Sequence, residues 1–166
     1  MTTDYFMITV AVLTMSDKGS RGEREDISGP LIRDLLKNIN AEITDYEVLP
    51  DEKELIKEKL IHYSKKVDLI LTTGGTGLSP RDVTPEATLE VIDRQVPGIA
   101  EAMRSEGLRK TKRAMLSRAV AGVKGQALII NFPGSPVAVK ENLAVILETI
   151  PHAIEKIKGD LSECAR

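Results

Sequence analysis

The sequence predicts an α/β fold: a three-layer sandwich with a mostly parallel central sheet and helices on both faces. Two observations carry this. Short runs such as Ile8–Met15 and residues 126–132 are almost continuously apolar and rich in β-branched side chains, as strands covered on both faces are. Between such runs lie amphipathic stretches with helical spacing, punctuated by Gly and Pro. A chain of 166 residues without repeats, linkers or low-complexity segments is expected to form one domain over residues 1–166.

The elements follow in order. Ile8–Met15 (ITVAVLTM) is the first strand, and residues 16–28 form a polar loop. Residues 29–38 read as a helix, with Leu31, Ile32, Leu35, Leu36 and Ile39 at helical spacing. Residues 43–49 are a weaker strand, stopped by Pro50-Asp51. Residues 53–65 are the next helix, with Leu55, Ile56, Leu60, Ile61 and Tyr63 facing inward, and residues 67–71 the third strand. After a loop over residues 72–80, Thr84-Pro85-Glu86 reads as a helix start. Thr84 is expected at the N-cap, Pro85 at the first helical position, and the helix should reach about Arg94. Residues 98–108 read as helical, residues 109–117 as a basic stretch, and residues 126–132 as a buried strand cut off by Pro133-Gly134-Ser135-Pro136. A long helical region, residues 137–158, is broken or kinked at Pro151.

Composition removes several functions. The net charge of −2 gives no general pull toward nucleic acid, and with no Trp, three Tyr and two Phe there is no stacking platform for single strands. The one cysteine, Cys164, makes no internal disulfide, and two histidines leave no zinc quartet; a reducing, cytoplasmic setting is expected. Asp4 and the absence of a basic leading segment argue against a signal peptide. No apolar run approaches the roughly 20 residues of a membrane span.

In parallel sheets ligands bind beyond the carboxyl ends of the strands. The loops there are Ser16-Asp17, Pro50-Asp51, residues 72–82 and residues 131–136. Gly74, Gly75 and Gly77 permit positive φ and a close backbone approach, while Thr72, Thr73, Thr76 and Ser79 add hydroxyls. Successive N–H groups in such a turn can nest an anion, and the helix entered at Thr84 presents its positive end to the same place. The loop is neither a Walker P-loop nor a dinucleotide fingerprint: no Gly-Lys-Ser/Thr follows, and Pro80 stands where the last glycine would be. The plainer reading is a tight connection that merely needs glycine.

Asp82 beside an anion site would repel phosphate unless a cation bridges the two, as Mg²⁺ does. Otherwise it serves only the helix N-terminus. Asp51 with Glu54 approximates a capping box, so a cap competes there with a metal ligand. Pro136 suits the first position of another helix, which leaves a second N-terminus free for an anion. Arg104, Arg109, Lys110, Lys112, Arg113 and Arg118 read as a solvated face, or else as a wall for an anionic substrate. His62 and His152 lie on expected helices and form no catalytic arrangement.

Thr73-Gly74-Gly75-Thr76-Gly77 followed by Arg81-Asp82-Val83-Thr84-Pro85-Glu86-Ala87 resembles the signature of the molybdopterin adenylyltransferase (MogA/MoaB) family of molybdenum cofactor biosynthesis. Ser16-Asp17, the Leu-Pro-Asp ending at Asp51, Leu116-Ser117-Arg118 and the Pro-Gly-Ser-Pro turn extend the resemblance over nearly the whole chain. The segment over residues 18–26 is closer to MoaB-type chains. The resemblance implies a homotrimer and Mg²⁺-dependent transfer of AMP from ATP to the terminal phosphate of molybdopterin. It implies catalytic, metal-binding roles for Asp51 and Asp82, and a pterin-site role for Ser117, with Arg118 beside it. Thr73, Gly74, Gly75, Thr76, Gly77 and Ser79, with Pro133, Gly134 and Ser135, would serve the nucleotide and its phosphates. Alternatives are a non-catalytic pterin carrier of the MoaB type and a nucleotide-diphosphate hydrolase on the same fold. Thr76 and the run from Arg81 to Thr84 argue against the hydrolase.

Overall fold

A computed structural model describes residues 6–163; Asp4 and Cys164, on which two expectations above rest, lie outside the described residues. Strands β1 (Ile8–Met15), β2 (Ala41–Leu49), β3 (Leu69–Thr73), β4 (Arg94–Gln95), β5 (Ala121–Lys124) and β6 (Ala127–Phe132) form one sheet in the order β2-β1-β3-β6-β5-β4. β1, β2, β3 and β6 run parallel, while β5 is antiparallel to β6 and β4 to β5.

The period-2 geometry of a strand sends alternate residues to opposite faces. Val10 and Val12 of β1, with Leu69, Leu71, Ile130 and Phe132, pack under α2 (Ser28–Leu36), α5 (Pro97–Leu108), α6 (Pro136–Ile146) and α7 (Ile150–Ile157). Ala11 and Leu13, with Ile70 and Ile129, pack under α3 (Lys53–Ser64) and α4 (Thr84–Val91). This gives the three layers the sequence predicts. Phe132, fully buried at the end of β6, is a keystone; its loss to Ala would cost about 3–5 kcal/mol.

Several boundaries differ from expectation. The loop after β1 contains a short helix, α1 (Asp17–Ser20), capped by Ser16 Oγ. β3 starts later than residue 67 and takes in Thr72 and Thr73. α3 buries Ile56, Leu60 and Tyr63, but Ile61 is 38% exposed, because one step along a helix turns the side chain about 100° away. α4 ends at Val91 because Ile92 turns extended and the chain then pairs with β5 as β4. Pro151 falls in the first turn of α7, so it opens a new helix after a 3₁₀ turn rather than kinking an old one. β4 and β5 were not expected at all. They are too short to show a period, and Gly122 weakens the pattern further.

The two ends of the sheet are built differently. At the amino end of the strands, Asp68 accepts hydrogen bonds from Thr9 N (2.9 Å), Thr9 Oγ1 (3.0 Å) and Lys158 Nζ (2.6 Å). Lys158 also lies 3.8 Å from the Phe6 ring centroid, a cation–π contact that ties the two ends of the described chain together. At the carboxyl end, β1, β2, β3 and β6 all finish, and α2, α3, α4 and α6 all begin. No helix among the described residues is long and apolar enough to cross a membrane.

Candidate functional site

A cleft of about 1120 Å³ opens over the carboxyl rim of the sheet, lined by the ends of β1 and β3, the turn after β6, and the inner side of α5 with the 3₁₀ turn Lys112–Leu116. Its floor is the glycine loop. Gly74 has φ +88°, and a Cβ there would sit 2.3 Å from the Met15 carbonyl oxygen; Gly75 has φ +70°, and its Cβ would sit 2.2 Å from Thr84 Oγ1. The chain leaving β3 thus threads between the end of β1 and the start of α4, where only glycine fits. Gly77 does not have a positive φ, contrary to expectation; a Cβ there would come within 2.9 Å of Asp82 Oδ2 and push that carboxylate aside.

Thr84 is not the N-cap. Val83 holds that position, and Thr84 Oγ1 donates to the Gly74 carbonyl at 3.0 Å, bolting the helix to the loop. Arg118 holds the loop from the other side. Its Nε donates to the Gly77 carbonyl (2.8 Å), one terminal nitrogen donates to the Asp82 carbonyl (2.7 Å), and the other pairs with Glu86. Its backbone N–H donates to the Thr76 carbonyl at 2.9 Å. The guanidinium is therefore spent on the loop and on Glu86. Burial pushes the Glu86 carboxyl up, but the Arg118 hydrogen bond, the residue's own backbone N–H and the charges of Arg118 and Lys53 together hold it below its ordinary range.

Asp51 and Asp82 line the same cleft. Asp51 is not a helix cap: α3 is preceded by Glu52, and no side chain caps it. Instead Asp51 and Asp17 brace each other. Asp17 N donates to Asp51 Oδ2 (3.1 Å), and Asp51 N donates to Asp17 Oδ1 (2.9 Å). Arg81 grips Asp17 with Nε (3.0 Å) and a terminal nitrogen (2.8 Å), which draws the glycine loop into the same knot. The Arg81 hydrogen bond holds the Asp17 carboxyl below its usual range. Burial is the main reason the Asp51 carboxyl is pushed above its usual range; the Asp17 N–H opposes this, while the Asp17 and Asp82 carboxylates add to it. Asp82 does not cap α4 either; its Oδ2 accepts from Ser79 N at 2.9 Å, closing the turn. A half-buried carboxylate crowded by like charge is suited to a cation. No cluster of three or more His, Cys, Asp or Glu that could cage a metal occurs among the described residues. Two carboxylates on one open cleft could hold a hard ion such as Mg²⁺, which keeps waters and takes substrate oxygens.

The remaining expected residues mostly gather here. Thr73, Gly74, Gly75, Thr76, Gly77, Ser117, Pro133, Gly134 and Ser135 all line the cleft. Ser79 is the exception: it is exposed, and its backbone N–H and hydroxyl serve the turn around Asp82. The basic stretch divides. Arg104 and Arg113 line the cleft, whereas Arg109 pairs with Glu106 and Lys110 with Glu141, itself a lining residue. Arg104 donates to the Ser117 and Ala119 carbonyls, fixing the segment between the 3₁₀ turn and β5 that carries Ser117.

Sequence reasoning missed Thr14, Asp26, Ser28 and Asn142, which also line the cleft. Asp26 two residues before Ser28, at the start of a helix, was a readable signal within the loop after the first strand. Asn142 gave none.

Comparison with known proteins accords with this geometry. Residues 11–152 match the family described as "Probable molybdopterin binding domain". The chain is similar to the molybdopterin adenylyltransferase of Helicobacter pylori, 40% identical, over 92% of this chain and 89% of that protein. It is 47% identical to gephyrin of Dictyostelium discoideum over 95% of its own length, but spans only 24% of gephyrin. The solved structure of the molybdopterin biosynthesis enzyme MoaB from Thermus thermophilus superimposes with a TM-score of 0.87 at 52% identity, covering 93% of this chain and 98% of that one.

Proposed function

The chain belongs to the molybdopterin-binding domain family of molybdenum cofactor biosynthesis, and from that premise we propose that it is a Mg²⁺-dependent molybdopterin adenylyltransferase. The observation that carries the reading is the meeting of Asp51 and Asp82 with the glycine loop in one cleft. In the proposed reaction a terminal phosphate oxygen of molybdopterin attacks the α-phosphorus of ATP. The bond from that phosphorus to the bridging oxygen of the β-phosphate breaks, and pyrophosphate leaves.

The attacking phosphate is already ionised at neutral pH, so no general base is required. The barrier lies in charge and alignment. Bound Mg²⁺ would neutralise charge developing between the phosphates. Asp51 and Asp82 would hold it, with the bracing by Asp17 and Arg81 fixing Asp51. The N–H groups of Gly74 to Gly77 and the N-terminus of α6 at Ser135-Pro136 would receive phosphate oxygens. Ser117 would hold the pterin end. Resemblance supports a homotrimer working in the cytoplasm, and light scattering on the purified protein tests the trimer.

The central test is incubation with ATP, Mg²⁺ and molybdopterin. Pyrophosphate release that needs all three components supports the transferase. Pterin binding without release would instead identify a carrier, and nucleotide hydrolysis without pterin a hydrolase.

A further inference from the structure

The glycine loop is asymmetric in its hydrogen bonding. Every carbonyl from Gly74 to Gly77 is taken, and by only two residues. Thr84 donates from Oγ1 to the Gly74 carbonyl (3.0 Å) and from its N–H to that of Gly75 (3.2 Å). Arg118 donates from its N–H to the Thr76 carbonyl (2.9 Å) and from Nε to that of Gly77 (2.8 Å). In a planar trans peptide the C=O and the following N–H point opposite ways. Holding these four carbonyls therefore turns the N–H groups of Gly75, Thr76, Gly77 and Leu78 to the other side. None of those four donates to anything among the described residues. Thr76, Gly77 and Asp82 line the cleft, whereas Thr84, Arg118 and Glu86 do not. The residues that set the polarity of the loop thus work from behind it.

Arg118 divides its fork in an unusual way. One terminal nitrogen meets Glu86 Oε1, and the other donates to the Asp82 carbonyl at 2.7 Å. An arginine paired only for stability meets a carboxylate with two parallel bonds. Here the second oxygen, Glu86 Oε2, stays buried without a partner, the one such atom among the described residues. An unmatched buried oxygen is costly and calls for a reason. The nitrogen that would have met it is on the loop instead. Arg118 also follows Ser117 directly, so the segment carrying Ser117 is tied to the loop carrying Asp82.

We propose that Arg118, oriented by Glu86, is a positioning residue for AMP transfer. It holds the peptides after Thr76 and Gly77 in their donor-outward orientation and fixes Asp82 relative to the segment of Ser117. The proposal rests on the transferase reading and deepens it. A lysine, a point charge without the planar fork, could not hold the Gly77 carbonyl, the Asp82 carbonyl and Glu86 at once.

The test separates kcat from KM for AMP transfer by the full chain. It compares the unaltered protein with Arg118→Lys, Glu86→Gln, their double variant and Glu90→Gln. Glu90 lies one turn further along α4 and pairs with Lys53 (2.8 Å) and Lys57 (2.7 Å), away from the loop. Hydrogen exchange of the amides of residues 75–78 is followed in parallel without substrates. Arg118→Lys is expected to lower kcat about 10- to 100-fold, the scale of a misplacement of about 1 Å, and Glu86→Gln about 3- to 10-fold. KM values should stay within about 3-fold, and the loop amides should exchange faster in both variants. The double variant should be no slower than Arg118→Lys, since the two residues act as one unit. Glu90→Gln should change neither kcat nor loop exchange. Unchanged kcat or unchanged exchange in Glu86→Gln and Arg118→Lys overturns the positioning role. So do additive losses in the double variant, or a rise in KM in place of the fall in kcat, which marks direct contact with substrate. An equal loss in Glu90→Gln also overturns it, because helix stability alone would then explain the effect. Should Arg118→Lys fail to fold, Glu86→Gln against Glu90→Gln decides. Absence of AMP transfer by the unaltered protein overturns the transferase reading and this role with it.

Discussion

Asp51 and Asp68 stand at opposite ends of the same sheet, both drawn out of solvent, and their surroundings push them in opposite directions. Burial raises both carboxyls. At Asp68 hydrogen bonds from Lys158 and from the N–H and hydroxyl of Thr9 overcome that penalty, and its pKa falls below the ordinary 3.8. At Asp51 the single N–H of Asp17 does not, and two neighbouring carboxylates make matters worse, so its pKa rises. At one end of the sheet the carboxylate is compensated within the chain, and at the other it is left under-compensated, the demand that the proposed Mg²⁺ would meet. A satisfied acid marks architecture; an unsatisfied one beside a cleft marks a workplace.

The sharpest way to break this contrast is to neutralise each acid in turn. Asp82→Asn or Asp51→Asn should lower the rate of AMP transfer about a hundred- to a thousand-fold, the scale of losing one preorganised charge contact, while circular dichroism stays native. Asp68→Asn should leave turnover unchanged; a comparable rate loss there would erase the distinction. Next in size is the loop itself. Gly75→Ala should cost about 2–4 kcal/mol in urea unfolding, since the alanine must adopt a left-handed backbone and also displace Thr84 Oγ1.

Asp68→Asn should in turn cost about 1–3 kcal/mol, because Lys158 and Thr9 lose a charged acceptor. The pH dependence fixes the sign. Asp68 is depressed, so its contribution is present above about pH 3.8 and is lost as pH falls through its lower folded value; the variant should lack that acid limb. Asp51 is raised, so its ionisation works against folding as pH rises from about 3.8 through the higher folded value, and the cost persists at neutrality. Asp51→Asn should therefore stabilise the metal-free protein at pH 7, by a small margin because solvent screens a half-exposed group. Thermal melts in EDTA measure it, and a lowered melting temperature would refute the reading of Asp51 as under-compensated.

Much of this site was legible in the chain. The loops after β1, β2, β3 and β6 are readable because a parallel sheet brings its strand ends to one rim, and the glycine spacing singles out the loop that floors the cleft. Arg118 shows where such reading stops. Its place at the rim depends on β5 running antiparallel, so that the start of that strand, not its end, reaches the site, and a four-residue strand carries no period to reveal this. Its direction was equally hidden: a basic residue near an anion site invites a ligand contact, yet this one is committed to backbone carbonyls of the loop. Asp51 was ambiguous for a related reason. A capping box and a metal ligand look alike in sequence, and only the reciprocal bond with Asp17, 34 positions away, separates them.

The contact between Phe6 and Lys158 bears on how this unit can be combined with others. The first and last parts of the described chain meet on the pole facing away from the mouth of the cleft. Additional modules could be spliced on at either terminus, or the whole unit inserted into a larger polypeptide, with their tethers emerging behind the machinery. The mouth of the cleft would stay open to solvent whichever end of the unit is extended.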